Sequence, residues 1–451
     1  MNRGQLFRIH WHSFDPETRN VELKYELDGE PFTETYRLPA KCSGGDPSVI
    51  ERLIGTLHVL AGVSYYKTSL PHTIEVGHAV PPTDAAFFQT VYEKGLGELF
   101  FMNGIDPRGV VRFDPNMESV ATLRRTQGDN VRVIVSPSNH DTKKLKILVP
   151  FGGGKDSVVT AMLLKEAGHD VTLLRVGAHG IIDALAAALG LPLLVVDRRL
   201  DPRLFEINAK GALNGHVPIT AILSALSVLV AETAGFDVVA FSNERSASDA
   251  NVTWNDAEIN HQWSKSIEFE RAFRAHLTDT CGTTVDYVSL LRPWSELRIV
   301  QEFVRFDKAL PLFTSCNKNW KIDPANRQQK PWCRNCPKCA FTGILLAAFL
   351  PRAKVTEIQG GDVLTEPGLV KTYRELLNLE GHKPFECVGT PHETAAAFHL
   401  AHERNEYSDS EAMRNFLHSS LAKDGARHAA EALTPSDDHC LSPAHRSALP
   451  A

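Results

Sequence analysis

The chain lacks any apolar run able to cross a bilayer. Its longest, Val217 to Ala231, is interrupted by Pro218, Thr220, Ser224 and Ser227 and falls short of the roughly 20 residues a spanning helix needs. A basic excess is missing too: 48 Lys and Arg stand against 54 Asp and Glu, a net charge of −6, which argues against a nucleic-acid partner. No apolar leader follows Met1-Asn2-Arg3-Gly4, so the expected setting is the cytoplasm, with no membrane partner. Cysteine is sparse except in one place. The eight lie at 42, 281, 316, 333, 336, 339, 387 and 440, and in a reducing compartment the crowded four read as metal ligands rather than disulfide partners. Cys42, Cys281, Cys387 and Cys440 read as ordinary free thiols. At 451 residues the chain is too long for one small core and predicts two or three domains.

What is present is a glycine-rich turn. The apolar run Leu145 to Phe151 leads into Gly152-Gly153-Gly154-Lys155-Asp156-Ser157. A strand ending in glycines before a helix leaves backbone N–H groups open to an anion, and the helix dipole favours a phosphate there. A P-loop needs G-x-x-x-x-G-K-[ST], but Asp156 follows Lys155 and Val149 stands at the first glycine. A dinucleotide fingerprint needs a third glycine where Ser157 stands, and the next strand ends at Arg175-Val176 rather than in an acid. The remaining pattern is S-G-G-x-D-S, the pyrophosphate loop of enzymes that split ATP into AMP and pyrophosphate, with Gly152 replacing the first serine. Gly152, Gly153, Gly154, Lys155, Asp156, Ser157 and Arg175 are the expected ATP-binding residues. A carboxylate among phosphate-binding amides needs a bridging cation, so Asp156 is the expected Mg²⁺ ligand.

Residues 1–140 read as a β-rich α+β domain: short alternating runs at Phe7–His12, Val21–Leu27 and Phe32–Leu38, an Asp28-Gly29 turn, and helices after Asp46-Pro47 and over Asp84–Gly95. His10, His12, His72, His78 and His140 carry no ligand spacing and predict no metal site. Residues 141–358 alternate strands (145–151, 171–176, 193–197, 237–242, 285–291) with helices (157–167, 181–189, 218–234, 267–277). That is α/β, a parallel sheet with helices on both faces. A helical extension over 359–421 and a disordered tail over 422–451 complete the chain.

Cys316, Cys333, Cys336 and Cys339 can supply four thiolates to a closed, structural Zn²⁺. An iron–sulfur cluster is the rival, although Gly343 breaks the ferredoxin-type run. Two polar stretches, Ser242 to Ser248 and Asn260 to Ser266, follow the strand at 237–242. Asn243, Arg245 and Ser246 are candidate substrate-binding residues. Lys265, His261 and Glu244 are candidate acid and base groups. Glu270 and Arg271 read as a solvated helix face.

Residues 145–350 resemble the N-type ATP pyrophosphatase (PP-loop) fold. Thr314-Ser315-Cys316 and Trp332 to Cys339 resemble the zinc-binding segments of 7-cyano-7-deazaguanine synthase, with Arg334 in place of a glycine. The whole length apart from the tail is similar to the MurL-type epimerases, on Asn243-Glu244-Arg245-Ser246 and Asn260 to Ser266. That resemblance implies ATP-dependent inversion of the terminal L-glutamate of UDP-N-acetylmuramoyl-L-alanyl-L-glutamate, with an acyl adenylate, release of AMP and pyrophosphate, and a functional link to the ligase that adds L-glutamate. The alternative is a PP-loop ligase or nucleobase-modifying enzyme.

Overall fold

The computed structural model describes residues 3–115, 144–320, 328 and 330–450. His140 and nearly all of the polar segment 124–144 lie outside them.

β1 (Leu6–Asp15), β2 (Asn20–Leu27) and β3 (Glu30–Arg37) form an antiparallel meander. Asp28 and Gly29, at φ +50° and +88°, make the expected two-residue turn, whose twist matches the flanking strands. Asp46 caps α1 (Pro47–Tyr66) through Ser48 N, and proline fixes the first turn. β4 (Thr73–Val76) pairs parallel to β1, and α2 (Pro82–Gly95) follows.

The second half supplies β5 (Lys146–Pro150), α3 (Lys155–Glu166), β6 (Asp170–Val176), α4 (Gly180–Leu189), β7 (Leu193–Arg199), α5 (Pro202–Ala209), α6 (Ile219–Ala234) and β8 (Val238–Phe241). A small hairpin, β9 (Val252–Trp254) and β10 (Ala257–Ile259), precedes α7 (Ile267–His276) and β11 (Asp286–Ser289). Then come α8 (Glu296–Phe303), α9 (Pro337–Ala347), α10 (Arg352–Gln359), α11 (Pro391–Glu403) and α12 (Gly425–Leu433).

One nine-stranded sheet runs β11-β8-β5-β6-β7-β3-β2-β1-β4. The strands on either side of residue 140 thus share a sheet. β3 pairs antiparallel with β7, Thr35–Arg37 against Arg199–Asp197. An open parallel sheet ends in a strand with unpaired N–H and C=O groups, and the meander covers it. Side chains alternate between two cores: Ile147 and Val149 pack on the α3 and α4 face, Leu148 on the α1 and α6 face. The chain runs from β5 to β6 and β7, then returns to the other side of β5 with β8. The crevice beyond β5 and β8 is therefore a topological switch point, where open α/β sheets bind ligands.

The expected disordered tail is corrected. Residues 420–446 include α12 and two shorter helical turns. The segment is anchored by Ser436 N to Pro293 O (2.8 Å) and by Arg271 to Asp438. His428, Ala429 and Ala432 of α12 are buried, and its small side chains allow close packing on α11.

Buried His276 joins α7 to α1 and α2: Nδ1 meets Asp84 Oδ1 at 3.1 Å and Nε2 meets Thr56 Oγ1 at 2.8 Å. Burial alone would lower its pKa, but Asp84 and Cys281 outweigh this and raise it from 6.5 to about 9. A raised folded-state pKa contributes stability that is full below the unfolded value of about 6.5 and lost as pH climbs through about 9. Thermal midpoints should fall across that window, and His276→Gln should flatten the fall.

Candidate active site

β5 delivers the chain to Phe151, and Gly154 caps α3 with no side-chain hydrogen bond. The first-turn N–H groups are therefore left for an anion. Gly153 turns at φ +74°, and a Cβ there would meet Ile182 Cγ1 at 3.2 Å. Gly152 has no such constraint, since nothing lies within 4 Å of a Cβ. The missing serine is a lost donor rather than a steric demand. Gly153→Ala should cost about 1–2 kcal/mol from its left-handed backbone alone, whereas Gly152→Ser should fold as stably as the wild type. Thermal unfolding checks both. Ser157 Oγ donates to Gly154 O at 3.1 Å.

Lys155 Nζ is buried between Asp156 Oδ1 (2.5 Å) and Glu296 Oε2 at the start of α8. Burial opposes its charge, yet the two carboxylates raise its pKa overall. Glu296 is pushed up to about 7, first by burial, with Lys155 opposing and Asp156 and Glu244 adding. Arg175 stands at the end of β6, but its guanidinium is held by Asp183 (Nε–Oδ1 3.0 Å) and the Gly177 carbonyl.

The β8 end forms the other wall. Asn243 is buried and its amide donates to Ser289 Oγ at 3.0 Å, tying β8 to β11. Ser246 Oγ is buried without a hydrogen-bond partner among the described residues. Arg245 turns elsewhere: its guanidinium donates to the carbonyls of Thr434 (3.1 Å) and Glu431 (3.4 Å), fastening the C-terminal segment. Glu244 is buried, and burial raises its pKa despite Lys265.

Lys265 Nζ lies 3.2 Å from Cys387 Sγ and 3.3 Å from Gln262 Oε1. Burial opposes its charge, but Cys387 and Glu244 raise its pKa. Cys387 moves the opposite way: burial would raise the thiol, yet Lys265 and His261 bring it well below the ordinary value. His261 Nδ1 meets Glu98 Oε2 at 2.5 Å. Burial lowers its pKa, Cys387 and Glu98 raise it, and the balance is about 9. The reading of Cys387 as an ordinary thiol is therefore corrected: it is part-buried, faces Lys265 and His261, and is shifted toward its thiolate form. Lys383 Nζ is also buried nearby, without a hydrogen-bond partner among the described residues and with its pKa lowered by burial.

Glu270 is corrected as well. It is 1% exposed, its Oε1 accepts from Ser289 N at 2.9 Å, and its Oε2 meets Arg292 Nε at 3.2 Å. Arg292 also donates to the carbonyls of Glu244 (2.6 Å) and Lys265, so this ion pair positions both candidate residues. Arg271 is solvent-facing, as expected. Cys387, Lys383, Glu296, Glu98 and Arg292 escape sequence reasoning because none sits in a motif; only folding brings them to the crevice.

Cys316, Cys333, Cys336 and Cys339 converge. Sγ separations are 3.9 Å (316–336), 3.7 Å (333–339) and 3.5 Å (336–339). Tetrahedral zinc, with Zn–S bonds of about 2.3 Å, sets sulfurs about 3.8 Å apart, so the donor set fits that ion. Arg334, at φ +57°, occupies the left-handed position that a glycine takes more readily. Thr314 N donates to Gly153 O at 3.3 Å, so the cysteine cluster and the glycine loop touch through one short segment.

Fold and site define an α/β protein with an uncapped glycine loop at a sheet switch point and a Cys387–Lys265 contact within electrostatic reach of it. Residues 1–290 match the family model described as the MurL N-terminal domain, and residues 312–432 match the MurL C-terminal domain. The chain belongs to the MurL family. It is 40% identical over 416 residues to the UDP-N-acetyl-alpha-D-muramoyl-L-alanyl-L-glutamate epimerase of Salinispora tropica, covering 91% of this chain and 87% of that protein. The enzyme of the same name from a Micromonospora species is 38% identical, covering 100% of this chain and 98% of that protein. A 7-cyano-7-deazaguanine synthase of Saccharolobus solfataricus is 24% identical over 49% of this chain and 53% of its own length. Among the described residues no helix is long and apolar enough to cross a membrane.

Proposed function

We propose that this chain inverts the terminal L-glutamate of UDP-N-acetylmuramoyl-L-alanyl-L-glutamate to D-glutamate, by way of an acyl adenylate formed with ATP on a PP-loop core. One observation carries the reading. The glycine loop, whose helix start has no side-chain cap, lies within electrostatic reach of the cluster that holds the Cys387–Lys265 pair, Asp156 acting on both Lys265 and Glu244, in a chain similar over nearly its whole length to enzymes named as epimerases.

The chemistry explains the pairing of loop and cluster. Removing an α-proton beside an ionised carboxylate would put two negative charges on adjacent atoms. Attack of that carboxylate oxygen on the α-phosphorus of ATP forms an O–P bond and expels pyrophosphate, and the resulting anhydride has a far more acidic α-proton. Residues 152–157 grip the departing phosphates, with Asp156 holding Mg²⁺, which offsets phosphate charge when bound. The Cys387 thiolate takes the α-proton. Lys265 faces the developing enolate oxygen, and Glu244, shifted toward its protonated form by burial, returns a proton to the opposite face. Lys265 acts electrostatically on both Cys387 and Glu244, which suits it to reset their protons. His261, paired with Glu98, keeps Cys387 ionised. Asn243, Ser246 and Lys383 serve the anionic substrate. Water then adds to the acyl carbon, the carbon–oxygen bond to AMP breaks, and the D-glutamate carboxylate is free.

The four cysteines hold a structural Zn²⁺ in this reading and cross-link the segment against the loop. The reaction belongs to peptidoglycan precursor synthesis in the cytoplasm, downstream of a ligase that adds L-glutamate. Incubation with Mg-ATP and the L-Ala-L-Glu muramoyl nucleotide in D₂O should give D-glutamate with α-deuterium, AMP and pyrophosphate. Unchanged, deuterium-free L-glutamate alongside ATP cleavage, or incorporation of ammonia, would overturn the reading.

A further inference from the structure

Histidines with no ligand spacing along the chain meet in space, far in sequence from the glycine loop. His12 of β1, His58 of α1 and His78, just after β4, bring one ring nitrogen each to within 4.8 Å of one another. Ring centroids lie 5.3 Å (12–58), 5.4 Å (12–78) and 6.1 Å (58–78) apart.

Local structure makes this meeting. The β1–β2 register slips between Ile9 and His12, and one extra residue reverses which face of the strand looks inward. Trp11, in step with buried Phe7 and Ile9, is instead 54% exposed, and His12 turns in with its side chain 5% exposed. On α1, Glu51, Gly55 and His58 fall on one face by i, i+4, i+7 spacing. Gly55 leaves room there: a Cβ would meet His78 Nε2 at 3.4 Å and His12 Cε1 at 3.6 Å. Gly77 N donates to Ile9 O at 2.8 Å, which seats His78 beside β1.

The hydrogen bonds then fix the tautomers. His58 Nε2 lies 3.0 Å from Lys24 O, an acceptor only, so Nε2 carries the proton. His12 Nε2 lies 3.0 Å from Glu51 Oε1, again an acceptor, so that nitrogen carries a proton too. Both Nδ1 atoms are thereby left pointing at each other at 3.2 Å. A fully buried imidazole such as His58, 0% exposed, is held neutral by desolvation. Two facing lone pairs repel unless a proton or a cation lies between them. A proton would serve that pair alone, whereas a metal accounts for the third converging ring. Zn–N bonds of about 2.0–2.1 Å at tetrahedral angles set nitrogens about 3.3 Å apart, close to the separation found. Metal-bound histidines also donate their far N–H to a carboxylate or a backbone carbonyl, as His12 does to Glu51 and His58 to Lys24.

We propose that His12, His58 and His78 form a second metal site for a divalent transition ion of the zinc class, with the fourth position left to water. It clamps β1, α1 and the segment after β4 in the half of the chain remote from the cysteines.

Full-length protein stripped with chelator and re-equilibrated with Zn²⁺ alone, then desalted, should lose one equivalent of zinc per chain when His12→Gln or His78→Gln is introduced. Both variants should match the wild-type melting profile in chelator. With both proteins loaded with Co²⁺, the difference spectrum between wild type and His12→Gln should show weak visible d–d bands without thiolate charge transfer. Unchanged zinc content in the folded histidine variants, or a cobalt difference spectrum without d–d bands, would replace the metal with a proton bridge.

Discussion

Cys387→Ala is expected to lower epimerisation by about 10²–10⁴-fold, the usual worth of a general base, while leaving the fold and Mg-ATP binding unchanged. The Cys387 sulfur sits 3.2 Å from Lys265; burial raises its pKa, but that ammonium and then His261 bring it well below the ordinary value. A packing role predicts something different. Small-to-smaller substitution at a part-buried thiol loosens local packing and lowers the melting point, with kcat and exchange following only as the protein unfolds. The distinguishing measurement is α-proton wash-out in D₂O, run separately from the L- and D-glutamate epimers. With one base removed, exchange should disappear from one epimer and persist from the other through Glu244. Equal loss from both, or no loss, would remove Cys387 from the proton transfer. Lys265→Gln should weaken both exchanges, because its charge acts on both partners.

Arg292→Met is the largest expected stability effect, about 3–5 kcal/mol. Arg292 and Glu270 have side chains 2% and 1% exposed, so removing the guanidinium leaves a carboxylate in the core with only Ser289 N to satisfy it. The Glu244 and Lys265 carbonyls lose their donor in the same step. Chemical denaturation should report the loss. The double variant Arg292→Met/Glu270→Leu should be less destabilised than the sum of the single changes, since it removes the stranded charge. Any surviving Arg292→Met activity should be impaired in kcat more than in KM for ATP, because the residues it positions are Glu244 and Lys265 and not the glycine loop.

These two effects also mark where local sequence stops being informative. The β5–glycine–α3 unit was legible because its chemistry is contiguous: an apolar strand, side-chain-free residues, then a helix. The β8 end was legible for the same reason, with Asn243 directly after a strand. Glu270 was misread because a glutamate flanked by Phe269 and Arg271 has the local signature of a solvated helix face. Its burial comes from Arg292, beyond the next strand. Cys387 was unreadable because its pKa is made by Lys265 and His261, which lie more than 100 positions away and reach it only through the fold. Arg245 shows the converse: correctly placed at a strand end, it is claimed by the carbonyls of a C-terminal segment whose composition suggested disorder. The meander–sheet junction escaped because edge pairing between β3 and β7 leaves no mark in either strand's pattern.

The central claim is that the glycine loop and the thiolate–ammonium pair serve one reaction, in which ATP makes the glutamate carboxyl an anhydride before its α-proton moves. Substrate carrying ¹⁸O in the α-carboxylate of its glutamate tests this most directly, because the oxygen that attacks phosphorus leaves with AMP. The account predicts that AMP formed during turnover carries one labelled oxygen from the substrate, with pyrophosphate unlabelled. AMP bearing only solvent oxygen, or epimerisation without any AMP, would contradict it.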